Sequence, residues 1–258
     1  MPSNKIIDVH AHPIFFGKGS SKPEVDKLVS YSKSLGIDKM VCLGDVLVHG
    51  PSPSAKQLTA INEQTRQLLT WYPDFFIGFC YLNPTLGEKR LRAELDRCLN
   101  AGFQGIKLEI ANNARDPIMK PLMRAAAHYQ IPVLQHTWDT LGKPMRRTHS
   151  DPRDTCLLAH RFPDTKVIMA HLYGFGMRGV LEAQNLPNLY IDTSSCLPFA
   201  GLLEYAVEKL GPERILYGSD IPIRELGQCI GRITGSDIPA AAKTQILYSN
   251  ANTLFNLA

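Results

Sequence analysis

At 258 residues, 44% hydrophobic and 20% charged, the chain has the length of one large domain or two small ones and an ordinary globular composition. Its formal charge is +4, but Lys and Arg are interleaved with Asp and Glu, and the absence of a basic stripe argues against a nucleic-acid partner. No apolar leader or segment of membrane-spanning length is apparent, and the cysteines never fall at a Cys-x-x-Cys spacing, so the expectation is a soluble, cytoplasmic protein with reduced thiols.

In chain order, an apolar run from Lys5 ends in His10-Ala11-His12-Pro13, where proline stops the strand. Residues 17–22 read as loop and Val25 to Leu35 as an amphipathic helix closed by Gly36. A second apolar run covers Lys39 to Gly44, followed by a Pro/Ser-rich loop and a helix from Ala55 to Trp71. Phe75 to Tyr81 is the third run, a helix spans Gly87 to Leu99, and Phe103 to Ile110 is the fourth strand. A helix over Pro117 to Tyr129 carries proline at a favourable early position, and Pro132 to Thr137 is the fifth strand. A loop from Trp138 to Ser150 leads to a helix over Pro152 to Arg161. Lys166 to Leu172 and Asn188 to Thr193 are strands six and seven, with no helix assigned between them. A helix over Gly201 to Leu210 precedes the eighth run, Arg214 to Asp220, and the tail from Ile238 to Leu257 reads as helical with Asp237 as its N-cap.

Short apolar runs alternating with helical patterns predict parallel βα units, and eight without a composition break predict a single (β/α)₈ barrel over residues 1–258 with a C-terminal helical extension. A doubly wound sheet would want a glycine-rich phosphate loop after strand one, where this chain has His-Ala-His-Pro.

A barrel gathers the C-terminal ends of its strands around one pit. Those ends carry His10 and His12, Lys107 and Glu109, His136, His171 and Asp220. His10 and His12 share a strand face, so both imidazoles can aim at one point, and imidazole suits Zn and similar cations. The same pair on an isolated strand would equally be a satisfied structural pair. His128 and His160 fall in helices and His49 and His149 in loops, where structural roles are expected.

These features together make the chain similar to the amidohydrolase superfamily, in its amidohydrolase-2 branch. The matching residues are His10-Ala11-His12, Gly105-Ile106-Lys107-Leu108, His136, Ala170-His171, Tyr190-Ile191-Asp192-Thr193-Ser194-Ser195, Gly218-Ser219-Asp220-Ile221-Pro222 and Asn250 to Phe255. The resemblance implies that His10, His12, His136 and Asp220 hold a divalent metal, most simply one Zn, with Mn or another transition metal as alternatives. Asp220 and His171 would be catalytic, Asp220 by taking a proton from water and His171 by orienting or protonating the substrate or binding a second metal. A lysine at the strand-four position of Lys107 is carboxylated and bridges two metals in binuclear members of the superfamily, whereas the branch resembled more usually holds one metal and leaves that lysine an ordinary cation; the alternative for Lys107 and Glu109 is a buried ion pair.

The loops after strands four, five and eight carry Asn112, Asn113, Arg115, Trp138, Arg146, Arg147 and Arg224 as candidate contacts for a small organic anion. The leading expectation is hydrolysis of a small lactone- or amide-like substrate by a metal-activated water. Non-oxidative decarboxylation of an aromatic or enol-type acid is the alternative; a deoxyribonuclease and a catalytically inactive binding barrel stand behind both. The sequence leaves oligomeric state open, with a homodimer as one option.

Overall fold

The structure, a computed structural model, describes residues 5–13, 21–45, 48–50, 52–108, 113–139, 149–197 and 199–257. Eight parallel strands follow one another in sequence order: β1 (Ile6–Ala11), β2 (Ile37–Cys42), β3 (Phe76–Tyr81), β4 (Gly105–Leu108), β5 (Val133–Gln135), β6 (Val167–Met169), β7 (Leu189–Asp192) and β8 (Ile215–Leu216). The ring is drawn together beyond the short β8 by backbone bonds from Val9 N to Tyr217 O (2.9 Å), His12 N to Ile221 O (2.8 Å) and Asp220 N to His10 O (2.7 Å). This is the α/β barrel that the sequence predicts.

The helices between strands are α1 (Lys22–Ser34), α2 (Ala55–Trp71), α3 (Glu88–Asn100), α4 (Lys120–Tyr129), α5 (Pro152–Arg161), α6 (Leu172–Glu182) and α7 (Leu202–Leu210). After β8 come α8 (Leu226–Thr234), α9 (Ala240–Thr244), a π-helical turn over Gln245–Ser249, and α10 (Asn250–Leu254). Helix α1 starts before Val25 because the Ser21 backbone N–H donates to the Glu24 carboxylate at 2.9 Å and Pro23 fits the first turn.

Helices α6 and α8 have no counterpart in the sequence reading, and α6 shows why. Gly174, Gly176 and Gly179 obscure its periodicity, and its path is broken at Gly176, where φ is +65°. The tail helix starts at Ala240, with Pro239 as its N-cap. Asp237 is therefore not the cap: Ile238 precedes a proline and is steered away from helical geometry, and the Asp237 N–H donates to Glu204 Oε1 at 2.8 Å.

Ile7, Val9, Val41, Leu43, Ile77, Phe79, Leu134, Ile168, Ala170 and Leu216 form a buried cluster with Ala251, Leu254 and Phe255. The C-terminal extension thus contributes to this inner cluster: the Phe255 ring meets Phe79 edge-on at 5.8 Å. Gly105 makes room for Phe79, since a Cβ there would come within 2.4 Å of the ring. Ile106 and Leu108 join the other, larger cluster, so the alternation of β4 turns Lys107, fully buried, toward the barrel interior.

Buried Asn62 ties α2 to the end of β3. Its Oδ1 accepts from Tyr81 N at 2.8 Å, while Nδ2 donates to Tyr81 O at 3.0 Å and Glu94 Oε1 at 2.8 Å. Asn62→Ala would leave buried polar groups on two elements unsatisfied, and a loss of about 2–3 kcal/mol in urea unfolding is expected; a loss below about 0.5 kcal/mol would contradict this role. Among the described residues, no helix is long and apolar enough to cross a membrane.

Candidate active site

The site begins with an irregularity in β1. From Asp8 to Ala11 this strand advances three residues, while its partner advances two, from Met40 to Cys42. One extra residue breaks the alternation set by inward-facing Ile7 and Val9, which would otherwise bring Ala11 to the interior. Asp8 clasps this bulge: Oδ1 accepts from His10 N and Ser219 N, each at 3.0 Å, and Oδ2 accepts from Ser219 Oγ at 2.5 Å. Burial pushes the Asp8 carboxyl up to about 7, against the opposing influence of these bonds and of His10.

Three imidazoles face one carboxylate. The Asp220 oxygens lie 3.6 Å from His10 Nε2, 3.8 Å from His12 Nε2 and 4.0 Å from His171 Nε2. In each ring the other nitrogen is engaged: His10 Nδ1 lies 2.8 Å from Asp192 Oδ2, His12 Nδ1 3.2 Å from Gly44 O, and His171 Nδ1 3.0 Å from Thr137 O. Carboxylates and carbonyls only accept here, so each Nδ1 is assigned as the N–H donor, and each Nε2 is the atom turned toward Asp220. His10 Nε2 is buried with no hydrogen-bond partner among the described residues. Candidate ligand atoms of His10, His171 and Asp220 all lie within 4.8 Å of one another.

His171 and Asp220 both adopt left-handed backbone conformations, with φ of +78° and +65°. Such geometry is uncommon outside glycine and is held by specific bonds: His171 N donates to Asp192 Oδ1 at 3.0 Å, and Asp220 N to His10 O. Asp192 is the hub. Oδ1 also accepts from the Ser194 N–H at 2.9 Å and from the Ser194 hydroxyl. Burial works against its charge, but interactions with His10, His171 and Ser194 hold its carboxyl well below the usual range. His171 moves in the direction of neutrality: burial, then His136 and His10, push its imidazole well below its ordinary value.

His136 stacks its ring edge-on against His171 at 4.7 Å, and Trp138 approaches His171 from another side at 5.6 Å. Gly174 permits that approach, since a Cβ would fall 2.8 Å from the indole. Lys107 is close enough for its charge to contribute to the lowering at His171. Arg224 lies on the turn after Asp220, to whose carbonyl its backbone N–H donates at 3.2 Å.

Arg115 is not brought to this cluster. Its guanidinium pairs with Asp154 of α5 at 2.6 Å, on a groove shared with Arg153, His160 and Arg161, because the β4 loop packs on α5. Asn113 likewise bonds His149 O and Asp154. Glu109, Asn112, Arg146 and Arg147 lie outside the described residues. Asp8 is not among the residues the sequence singles out, and Asp192 stands there only as part of the strand-seven motif without a role; a carboxylate inside an otherwise apolar strand is the available signal for both.

The profile of the Amidohydrolase family (Amidohydro_2) matches residues 7–257. No curated protein matches the sequence. Among solved structures, the fold is similar to 2,6-dihydroxybenzoate decarboxylase from Rhizobium, at 17% identity, with 98% of this chain and 99% of that chain covered and a TM-score of 0.77. A dihydroxybenzoic acid decarboxylase from a Polaromonas species, with bound manganese and the inhibitor 2-nitroresorcinol, is 17% identical over 98% of this chain and 97% of that one, with a TM-score of 0.75. A 4-oxalomesaconate hydratase from Rhodopseudomonas palustris is 17% identical over 97% and 95% of the two chains, with a TM-score of 0.71. Identities this low speak to the fold, whereas the family rests on the near full-length profile match: the chain belongs to the amidohydrolase family.

Proposed function

We propose that this protein is a divalent-metal-dependent hydrolase of a small organic substrate. The observation that carries the reading is the set of Nε2 atoms of His10, His12 and His171, each ring fixed by a bond at Nδ1 and each Nε2 within 4.0 Å of Asp220. Neutral imidazoles plus one carboxylate suit a Zn²⁺- or Mn²⁺-like ion. His10, His12 and Asp220 would form the core of its ligand set. His171 is nearest as the fourth donor, with His136, the ligand the resemblance implies, as its rival; the one that is not a ligand faces the substrate. When bound, the ion would polarise a substrate oxygen and lower the pKa of a water molecule toward neutrality.

The chain's own groups supply the rest. A carboxylate oxygen of Asp220 accepts the proton of the attacking water and returns it to the leaving group. The non-ligand imidazole orients the carbonyl oxygen, Trp138 walls the site against water, and buried Lys107 lies beneath it. A cytoplasmic setting agrees with the cysteines, all six of which are free and five buried.

Decarboxylation of an aromatic or enol-type acid is the second reading, favoured by the activities named for two of the structural neighbours. The test is incubation of Zn²⁺- or Mn²⁺-loaded protein with lactone, amide and hydroxybenzoate panels in ¹⁸O-water. Label in a carboxylate product, abolished by chelation, is expected. Release of CO₂ without label would replace hydrolysis by decarboxylation, and turnover unaffected by chelation would end the metal-dependent reading.

A further inference from the structure

Five arginines are partly buried among the described residues, and four are matched to strong acceptors or an aromatic face. Arg97 pairs with Glu94, and Arg178 with Asp151. Arg214 donates to the backbone carbonyls of Leu210, Ala183, Leu186 and Gln184. Arg232 donates to Ser195 O and lies over the Tyr173 ring. Arg224 differs. Its Nη2 sits 2.7 Å from the Cys196 sulfur, its Nη1 donates to the adjacent Ile223 carbonyl at 2.8 Å, and its buried Nε has no hydrogen-bond partner among the described residues.

A thiol is a weak acceptor, and a buried guanidinium N–H such as Nε is costly without a strong one, while the Nη1 side of the fork remains open to solvent. The position matters as much as the pairing. Arg224 is on the turn that begins at Asp220, and Cys196 is two residues beyond Ser194, whose Oγ lies 3.4 Å from His10 Nδ1. The arginine and its thiol therefore bridge the loops after β7 and β8 at the rim that carries the histidine cluster.

We propose that Arg224 is a specificity-determining residue that binds a carboxylate of the substrate, exchanging the Cys196 thiol for it. A carboxylate offers two oxygens to a planar fork, which a thiol cannot. The substrates are then small organic acids, held by a carboxylate that is a spectator to hydrolysis at a second, carbonyl-bearing group. This inference rests on the hydrolase reading for its placement of the reaction, but the carboxylate seat is measurable without turnover.

The test uses benzoate as the probe and benzamide as its neutral counterpart, with thermal unfolding as the readout. Benzoate at millimolar concentration is expected to raise the Tm of wild-type protein and benzamide is not. Arg224→Gln is expected to lose the benzoate response, and Arg224→Lys, which keeps charge but not the fork, to retain part of it. For an acidic substrate found in the panels, Arg224→Gln raises KM by about 10- to 100-fold and leaves its methyl ester unaffected. The response should persist in chelated protein, so release of CO₂ without ¹⁸O label would overturn the hydrolase reading while leaving the carboxylate seat standing. An equal benzoate shift in wild type and Arg224→Gln, or no shift in wild type, overturns the proposal; Arg224→Lys carries the same comparison if Arg224→Gln does not fold.

Discussion

Replacing His10 and His12 together by alanine is expected to remove high-affinity divalent-metal binding and, with it, activity. Loss of an outer partner alone typically costs about 10- to 100-fold in metal affinity, so deleting two direct ligands should exceed that range. A readout independent of turnover is available, because an ion that binds only the folded chain stabilises it by about 2.7 kcal/mol at 100 times its Kd. Wild-type protein should show this gain on adding Zn²⁺ or Mn²⁺, and the double variant should not. The single variants His136→Ala and His171→Ala then assign the fourth ligand: one loses metal, and the other keeps metal and loses turnover. Equal metal affinity in wild type and the His10/His12 variant would remove the basis of the proposed function.

Asp192→Asn is expected to have the second largest effect through a single misplaced proton. Asp192 Oδ1 accepts from the N–H groups of His171 and Ser194 and from the Ser194 hydroxyl, so the asparagine oxygen is drawn to that side. The amide NH₂ must then face His10 Nδ1, now 2.8 Å from Asp192 Oδ2. Two donors cannot face each other, and His10 answers by carrying its proton on Nε2, where it points at Asp220. Metal affinity should fall about 10- to 100-fold while the fold is retained. Nitrogen-15 NMR of the His10 ring would show the change of tautomer; an unchanged ring with unchanged affinity would refute the argument.

The barrel was legible because each strand is a short apolar run and three of the intervening helices, α1, α2 and α5, open on the polar caps Ser21, Ser54 and Asp151. The residues aimed at the pit were legible for a related reason. His10, His12, His136, His171 and Asp220 stand where apolar runs stop, and polar side chains there have few purely structural uses. Less visible were residues whose work depends on register. The bulge between Asp8 and Ala11 exists only as a mismatch with β2, and Asp8 and Asp192 act by bonding to residues distant in sequence. Helix α6 was hidden by glycines whose reason, the close approach of Trp138 at Gly174 and of Phe175 at Gly179, lies in packing. Arg115 was misjudged because the composition of a loop does not say which way it folds; here it turns onto α5.

The clasp between Asp8 and Ser219 joins groups 211 residues apart in sequence. During synthesis, the first strand must wait until the residues 211 positions further on are made before this contact can form. The same wait applies to His10 and Asp220, so a partly made chain can carry the early histidines without their carboxylate. Contacts of such separation are expected to form late and to slow folding. An ion with a preference for the full set would therefore favour chains in which β1 has met the turn after β8.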